Sequence, residues 1–169
     1  MPDHYQRIKG EYENLQGDSV ALFRVILSTA DEIGIDAALA TLERCVIEKR
    51  TVWLRANLGE TRAVGDPVMD GFVWFYERYL GLSIPEDGEI VENTQGRVLM
   101  RWWNPCPTLE ACRQLGLDTR VVCRKAYHRP VQEFLAQIHP ALRFDRNYAC
   151  LRPQAAWCEE MISLAKPGA

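Results

Sequence analysis

Residues 82–88, SIPEDGE, separate two kinds of apolar patterning, and this change constrains the fold more than any other feature of the chain. Before it, apolar residues recur at helical spacing. After it, they alternate over short runs bounded by turn residues and interleaved with further helical stretches. There is no internal repeat and no long linker. Helices first, then strands mixed with helices, is the pattern of an α+β protein.

In the first half, residues 3–15 read as a polar, loosely docked helix. Asp18 caps a second helix, SVALFRVILSTADEIG, which ends at Gly34. Asp36 caps a third, whose apolar stripe is Ala38, Leu42, Cys45, Val46 and Trp53. The place of Cys45 in that stripe makes it a core thiol. Asp66 followed by Pro67 starts a fourth helix, because the missing proline N–H costs nothing in a first turn. Its stripe of Val68, Phe72, Phe75, Tyr76 and Tyr79 reads as a core face, and Gly81 ends it.

In the second half, EIVENTQGRVLMRWWN predicts two strands around a turn at residues 93–96. Val98, Met100 and Trp102 alternate with Leu99, Arg101 and Trp103, so both faces are largely apolar. A strand covered on one side and lining a cavity on the other has that pattern. In NPCPTLEACRQLG the two prolines impose an extended turn, and Thr108 is the expected N-cap of a short helix ending at Gly116. Asp118 or Thr119 caps RVVCRKAYHR, Pro130 breaks or kinks it, and VQEFLAQIH resumes. ALRFDRNYACLRP and AAWCEEMISLA read as two closing strands, with a helix as the alternative for the last. The expected architecture is a helical N-terminal half (1–82) packed on a C-terminal β-β-α-α-β-β unit (83–169). Its sheet has four antiparallel strands, one cavity lies between sheet and helices, and the whole is one domain.

With 169 residues, 47% of them hydrophobic, the chain can bury a core without staples. No apolar run approaches the length of a membrane span. The start, MPDHYQRIKGEYENL, lacks the apolar stretch of a signal peptide, so a cytoplasmic protein is expected. A net charge of −3 exerts no bulk pull on nucleic acid or an anionic membrane. The expected partner is a small-molecule ligand, and self-association to a homodimer is compatible with the sequence. In a reducing compartment the six cysteines are not structural disulfides, which leaves metal ligands, nucleophiles and small buried hydrophobes.

Cys106 is the strongest candidate for chemistry. It lies in Asn104-Pro105-Cys106-Pro107 just ahead of a helix, where free amide N–H groups and the positive dipole end favour a thiolate. Cys112 and Cys123 follow at C-x5-C-x10-C, with His128 after them, and zinc accepts a Cys3His set. This spacing lacks a C-x2-C knuckle. On a continuous α-helix, Cys123 and His128 also point about 140° apart. Cys123 shares a helix face with Arg120 and Tyr127, which reads as a small anion pocket. His128 is the candidate base, and His139 is structural at a helix end. In the last strand Cys158 and Glu160 face one way and Trp157 and Glu159 the other, so one glutamate points inward. Common nucleotide, zincin, α/β-hydrolase and thioredoxin-like signatures are absent.

The segments RVLMRWWNPCPTLEACRQLGLDTRVVCR and NYACLRPQAAWCEEMI resemble the L-2-amino-thiazoline-4-carboxylic acid hydrolase family and related small prokaryotic cysteine-containing proteins, over roughly residues 90–165. The cysteines that carry the likeness are Cys106, Cys123, and Cys158 with Glu159. The resemblance implies a hydrolase of a non-peptide C–N bond. Cys106 or Cys123 acts as nucleophile or metal ligand, and His128 or Glu159 handles the proton. The substrate carboxylate docks on Arg120 or Arg124, beside Tyr127 and an aromatic wall that includes Trp102. Vinyl-reductase-type ligand domains share the cysteine-containing α+β core, so a non-enzymatic small-molecule or metal-binding sensor is the competing reading.

Overall fold

The computed structural model describes residues 3–15, 18–59 and 65–168. The chain forms two compact units, each assembled from separated stretches. One is Met1–Arg50 with Cys106–Pro130, and the other is Thr51–Pro105 with Val131–Ala169. This division does not follow the expected 1–82 and 83–169 lobes. Two long helical stretches each contribute to both units, so a change of secondary structure at residue 82 does not mark a change of core.

The first unit is helical. Helix α1 (His4–Glu13) is capped by Asp3, α2 (Ser19–Ile33) by Asp18, and α3 (Ile35–Leu58) follows after Gly34 alone. Gly34 has φ +88°, a region costly for side chains with a Cβ, so it can stop one helix and start the next within one residue. Asp36 lies in the first turn of α3 rather than at its cap. Helix α1 is docked, contrary to its polar composition. Ile8 and Tyr12 are buried with Leu22, Phe23, Ile26, Leu39, Leu42 and Cys45, and Arg7 donates to Thr29 Oγ1 at 2.7 Å. Helix α5 (Pro107–Leu115) adds Ala111 and Cys112 to the same core and ends at Gly116, with φ +69°.

The second unit holds the sheet. Helix α4 (Pro67–Phe72), capped by Asp66, continues as a π-helical segment, Val73–Tyr79. The wider π-turn seats three consecutive aromatics, Trp74, Phe75 and Tyr76, in the core, where a regular α-helix rotates one of them away. Strands β1 (Gly88–Thr94), β2 (Arg97–Trp102), β3 (Leu142–Arg146) and β4 (Cys158–Leu164) form one antiparallel sheet in the order β1-β2-β4-β3. The strand reading of the last segment therefore holds, and the α+β class is observed. Val98, Met100, Trp102, Phe144 and Ile162 face Phe72, Phe75, Tyr76, Phe134 and Leu135. Their side chains form one packed core cluster. The approach is close, since a Cβ on Gly71 meets Leu135 Cδ2 at 3.0 Å and Leu142 Cδ1 at 3.1 Å.

The stretch after Gly116 is α6 (Thr119–Val122), a second π-helical segment, Cys123–Tyr127, and α7 (His128–Ile138). Pro130 lacks an N–H and crowds the carbonyl four residues back. The π-turn lies just ahead of it, where the helix can absorb that mismatch without breaking. Among the described residues, no helix is long and apolar enough to cross a membrane.

Candidate functional site

The expected site residues fall into two groups. Cys106, Cys112, Arg120, Cys123, Arg124, Tyr127 and His128 belong to the first unit, and Trp102 and Glu159 to the second.

In the first unit, Cys106 is itself the N-cap of α5, and its Sγ accepts the Leu109 N–H at 3.4 Å. Thr108 was the expected cap. Pro107 moves the helix start two residues earlier, because it fits N1 and leaves the cap to the residue before it. Cys106 is half-buried. Thr108 Oγ1 donates to the Tyr127 hydroxyl at 3.5 Å, and the buried Arg50 guanidinium lies 6.0 Å from the Tyr127 ring centroid. Burial pushes the Tyr127 phenol up to about 12, and the Cys123 and Cys106 thiols lie close enough to push in the same direction. Tyr127 is therefore a protonated phenol at neutral pH, with both candidate thiols in electrostatic reach.

Cys112 has a different setting. It is buried on the core face of α5, and burial, followed by the neighbouring Cys106 charge, pushes its thiol up to about 12. Burial likewise pushes Cys45 up to about 11. Both are packing thiols, and none of the six cysteines is in a disulfide. Among the described residues no three His, Cys, Asp or Glu side chains come together as a metal requires. The Cys106–Cys112–Cys123 zinc set thus has no ligand cluster behind it, since Cys112 is turned into an apolar core.

The π-turn changes the relation of Cys123 to His128. Its i→i+5 bonding brings residues five apart onto successive turns and reduces the divergence that an α-helix imposes. Arg120 is exposed and held by Asp118, its Nη2 2.9 Å from Oδ2 and its Nε 3.1 Å from Oδ1. That pairing occupies its fork and holds the Asp118 carboxyl below its ordinary value. Arg124 is exposed.

In the second unit, Trp102 is buried and stacked between Tyr76, at 4.7 Å, and Phe72, at 6.0 Å. Glu159 accepts from Asn147 Nδ2 at 3.1 Å and from Arg101 Nε at 3.2 Å. The Asn147 amide, and then the Arg101 guanidinium, hold its carboxyl below the ordinary value. Glu159 is therefore a tethered anion. The inward glutamate is Glu160. The Tyr76 hydroxyl donates to its Oε2 at 2.5 Å, and Arg146 Nε donates to its Oε1 at 2.8 Å. Burial, then the Glu160 charge, raises the Tyr76 phenol well above its usual value. Tyr76 is read from the sequence only as part of a core face, and Arg146 is not read as a site residue. The signal available was register: Arg146 pairs directly with Glu160 across β3 and β4. Cys158 Sγ accepts from Arg152 Nε at 3.4 Å, and Arg152 Nη1 donates to the Asn104 carbonyl at 2.7 Å. No family model matches the chain, and neither a curated protein nor a solved structure matches it.

Proposed function

We propose that the chain is a thiol-dependent hydrolase of a non-peptide C–N bond in a small carboxylate-bearing molecule, with Cys106 as the nucleophile. The observation that carries this reading is the position of the Cys106 thiol. It caps α5, half-exposed, and both it and the Cys123 thiol lie within electrostatic reach of the protonated Tyr127 phenol. A sulfur at a helix N-terminus faces amide N–H groups that favour its anionic form, and the thiolate is the nucleophile. The resemblance to the thiazoline carboxylate hydrolases supports the same substrate class. A cytoplasmic setting, which keeps thiols reduced, suits it.

The Cys106 thiolate adds to an amidine carbon, and the C=N electron pair moves to nitrogen. The leaving nitrogen takes a proton, the C–N bond breaks and an amine departs. Water then attacks the thio-linked carbon and returns the thiol, so that one amidine and one water become one amine and one amide. Tyr127 is the hydrogen-bond donor at the reacting nitrogen, and His128 exchanges the proton with water. Arg120 or Arg124 takes the substrate carboxylate.

The test is turnover of a thiazoline carboxylate, followed by mass spectrometry as the gain of one water. Serine is a better N-cap than cysteine, so Cys106→Ser keeps the helix start and removes the nucleophile. Loss of turnover in Cys106→Ser with the fold intact is the expected result. Cys123→Ser is the control expected to keep turnover, and full rate in Cys106→Ser overturns the proposal. So does saturable binding of the thiazoline carboxylate to the wild type without turnover, which is the behaviour of a ligand-binding domain.

A further inference from the structure

A pocket of about 270 Å³ in the second unit lies beside the first turn of α4, and no cysteine is among its lining residues. Leu58, Trp74 and Ile138 give it apolar walls, and Asp70 and His139 supply its polar groups. At about 30 Å³ per water it has room for about nine waters, or a ligand of roughly ten non-hydrogen atoms. An apolar hollow with a few convergent polar groups is the usual form of a small-molecule site.

The two polar groups have defined states. The Asp70 carboxylate is half-buried and accepts no hydrogen bond and makes no ion pair among the described residues. Burial, then the charge of Asp66, raises its pKa. The nearest cation on the same helical stretch, Arg78, lies over the Trp74 ring at 4.2 Å from its centroid. His139 Nδ1 accepts the Ala141 N–H at 3.1 Å, so in the neutral ring the proton sits on Nε2. A carboxylate taken partly out of water without a partner is costly, and a bound cation relieves that cost.

We propose that this pocket binds a small primary amine, with its ammonium on Asp70, its apolar body against Leu58, Trp74 and Ile138, and a hydrogen-bond acceptor opposite His139 Nε2. The site is independent of the thiol chemistry, and its failure leaves that reading untouched. The volume selects a compact ligand, and the lone carboxylate selects its charge. One carboxylate and one imidazole do not amount to a metal-ligand group, in keeping with the lack of any such group among the described residues.

The test is a titration of the full chain, followed by two-dimensional amide and indole NMR at neutral pH and low salt. The probe is phenethylamine, and the control is 2-phenylethanol, which has the same shape without the charge. Saturable shifts at the Trp74 indole, Asp70 and His139 are expected with the amine, and at least tenfold weaker binding with the alcohol. Asp70→Asn, an isosteric change at a side chain with no hydrogen-bond or ion-pair partner among the described residues, is expected to remove the preference for the amine. Equal binding of amine and alcohol overturns the proposal even if the variant does not fold. Unchanged amine affinity in a folded Asp70→Asn overturns it too, as do shifts confined to other residues or the same shifts produced by Mg²⁺ alone.

Discussion

Replacing Tyr76 with Phe removes one oxygen from the most buried polar group of the sheet-bearing unit. Tyr76 is 1% exposed and Glu160 9%. The lost bond is a 2.5 Å hydroxyl–carboxylate contact. A hydrogen bond to an ionised partner contributes about 1.5–3 kcal/mol, against about 1 for a neutral pair. The ring remains, with its stacking on Trp102 at 4.7 Å and its edge contact with Phe75 at 4.9 Å, so no cavity term is added. The expected loss is about 2 kcal/mol. At a urea slope of about 2 kcal/mol per M the midpoint falls by about 1 M. The assay is selective, because all five tryptophans (Trp53, Trp74, Trp102, Trp103 and Trp157) belong to this unit and their fluorescence reports its unfolding alone. Alkaline pH gives a second reading. The folded phenol titrates above its ordinary value. Its contribution is thus complete below about pH 10 and is lost as pH rises through the folded pKa. The gap between wild type and Tyr76→Phe should narrow above pH 10. A midpoint shift under about 0.25 M at neutral pH would refute the reasoning, since Glu160 then does not depend on the phenol.

Three further outcomes follow from the same geometry. Cys106→Ala should cost about 1 kcal/mol by removing the α5 cap, and Cys106→Ser should cost almost nothing, measured by urea unfolding followed by far-ultraviolet circular dichroism. Alkylation at neutral pH, mapped by mass spectrometry, should reach Cys106 at least about a hundredfold faster than Cys45 or Cys112, whose thiols are pushed up to about 11 and about 12. Comparable rates at the three would show that burial does not control them. Gly88→Ala should destabilise by about 1–3 kcal/mol or more, because its Cβ meets the Arg101 carbonyl oxygen at 2.5 Å, and backbone cannot yield as side chains do. Gly71→Ala, which meets only the ends of Leu135 and Leu142, should cost less in the same denaturation assay.

Local chemistry made much of the fold legible. Asp18, Asp66 and Asp118 all accept a backbone N–H from the residue two positions on, as their place before apolar-periodic runs predicted. The Gln95-Gly96 turn and the alternation of Val98, Met100 and Trp102 specified the β1–β2 hairpin and its buried face. These features depend on neighbours within a few residues, and the sequence displays such neighbours directly. The two π-turns were not legible. Aromatic and cysteine stripes at 3–4 spacing look α-helical, and only packing decides that Trp74, Phe75 and Tyr76 all turn inward. The first helix was misjudged for a related reason: a polar helix with two large apolar residues docks when a partner surface receives both.

The candidate sites divide in the same way. By itself the sequence determined that Cys106 precedes a helix between two prolines, that Cys45 lies in a core stripe, and that one of Glu159 and Glu160 faces inward. Each is a matter of helical or strand period. Tertiary structure alone decided that the inward residue is Glu160, held by Tyr76 from a helix eighty-four positions away. It also decided that Cys112 is a packing thiol and that Asp70 and His139 share a pocket. Period states which side of its own element a residue occupies. Which residue of another element lies opposite depends on how the elements close around a common core, and local spacing carries no record of that closure.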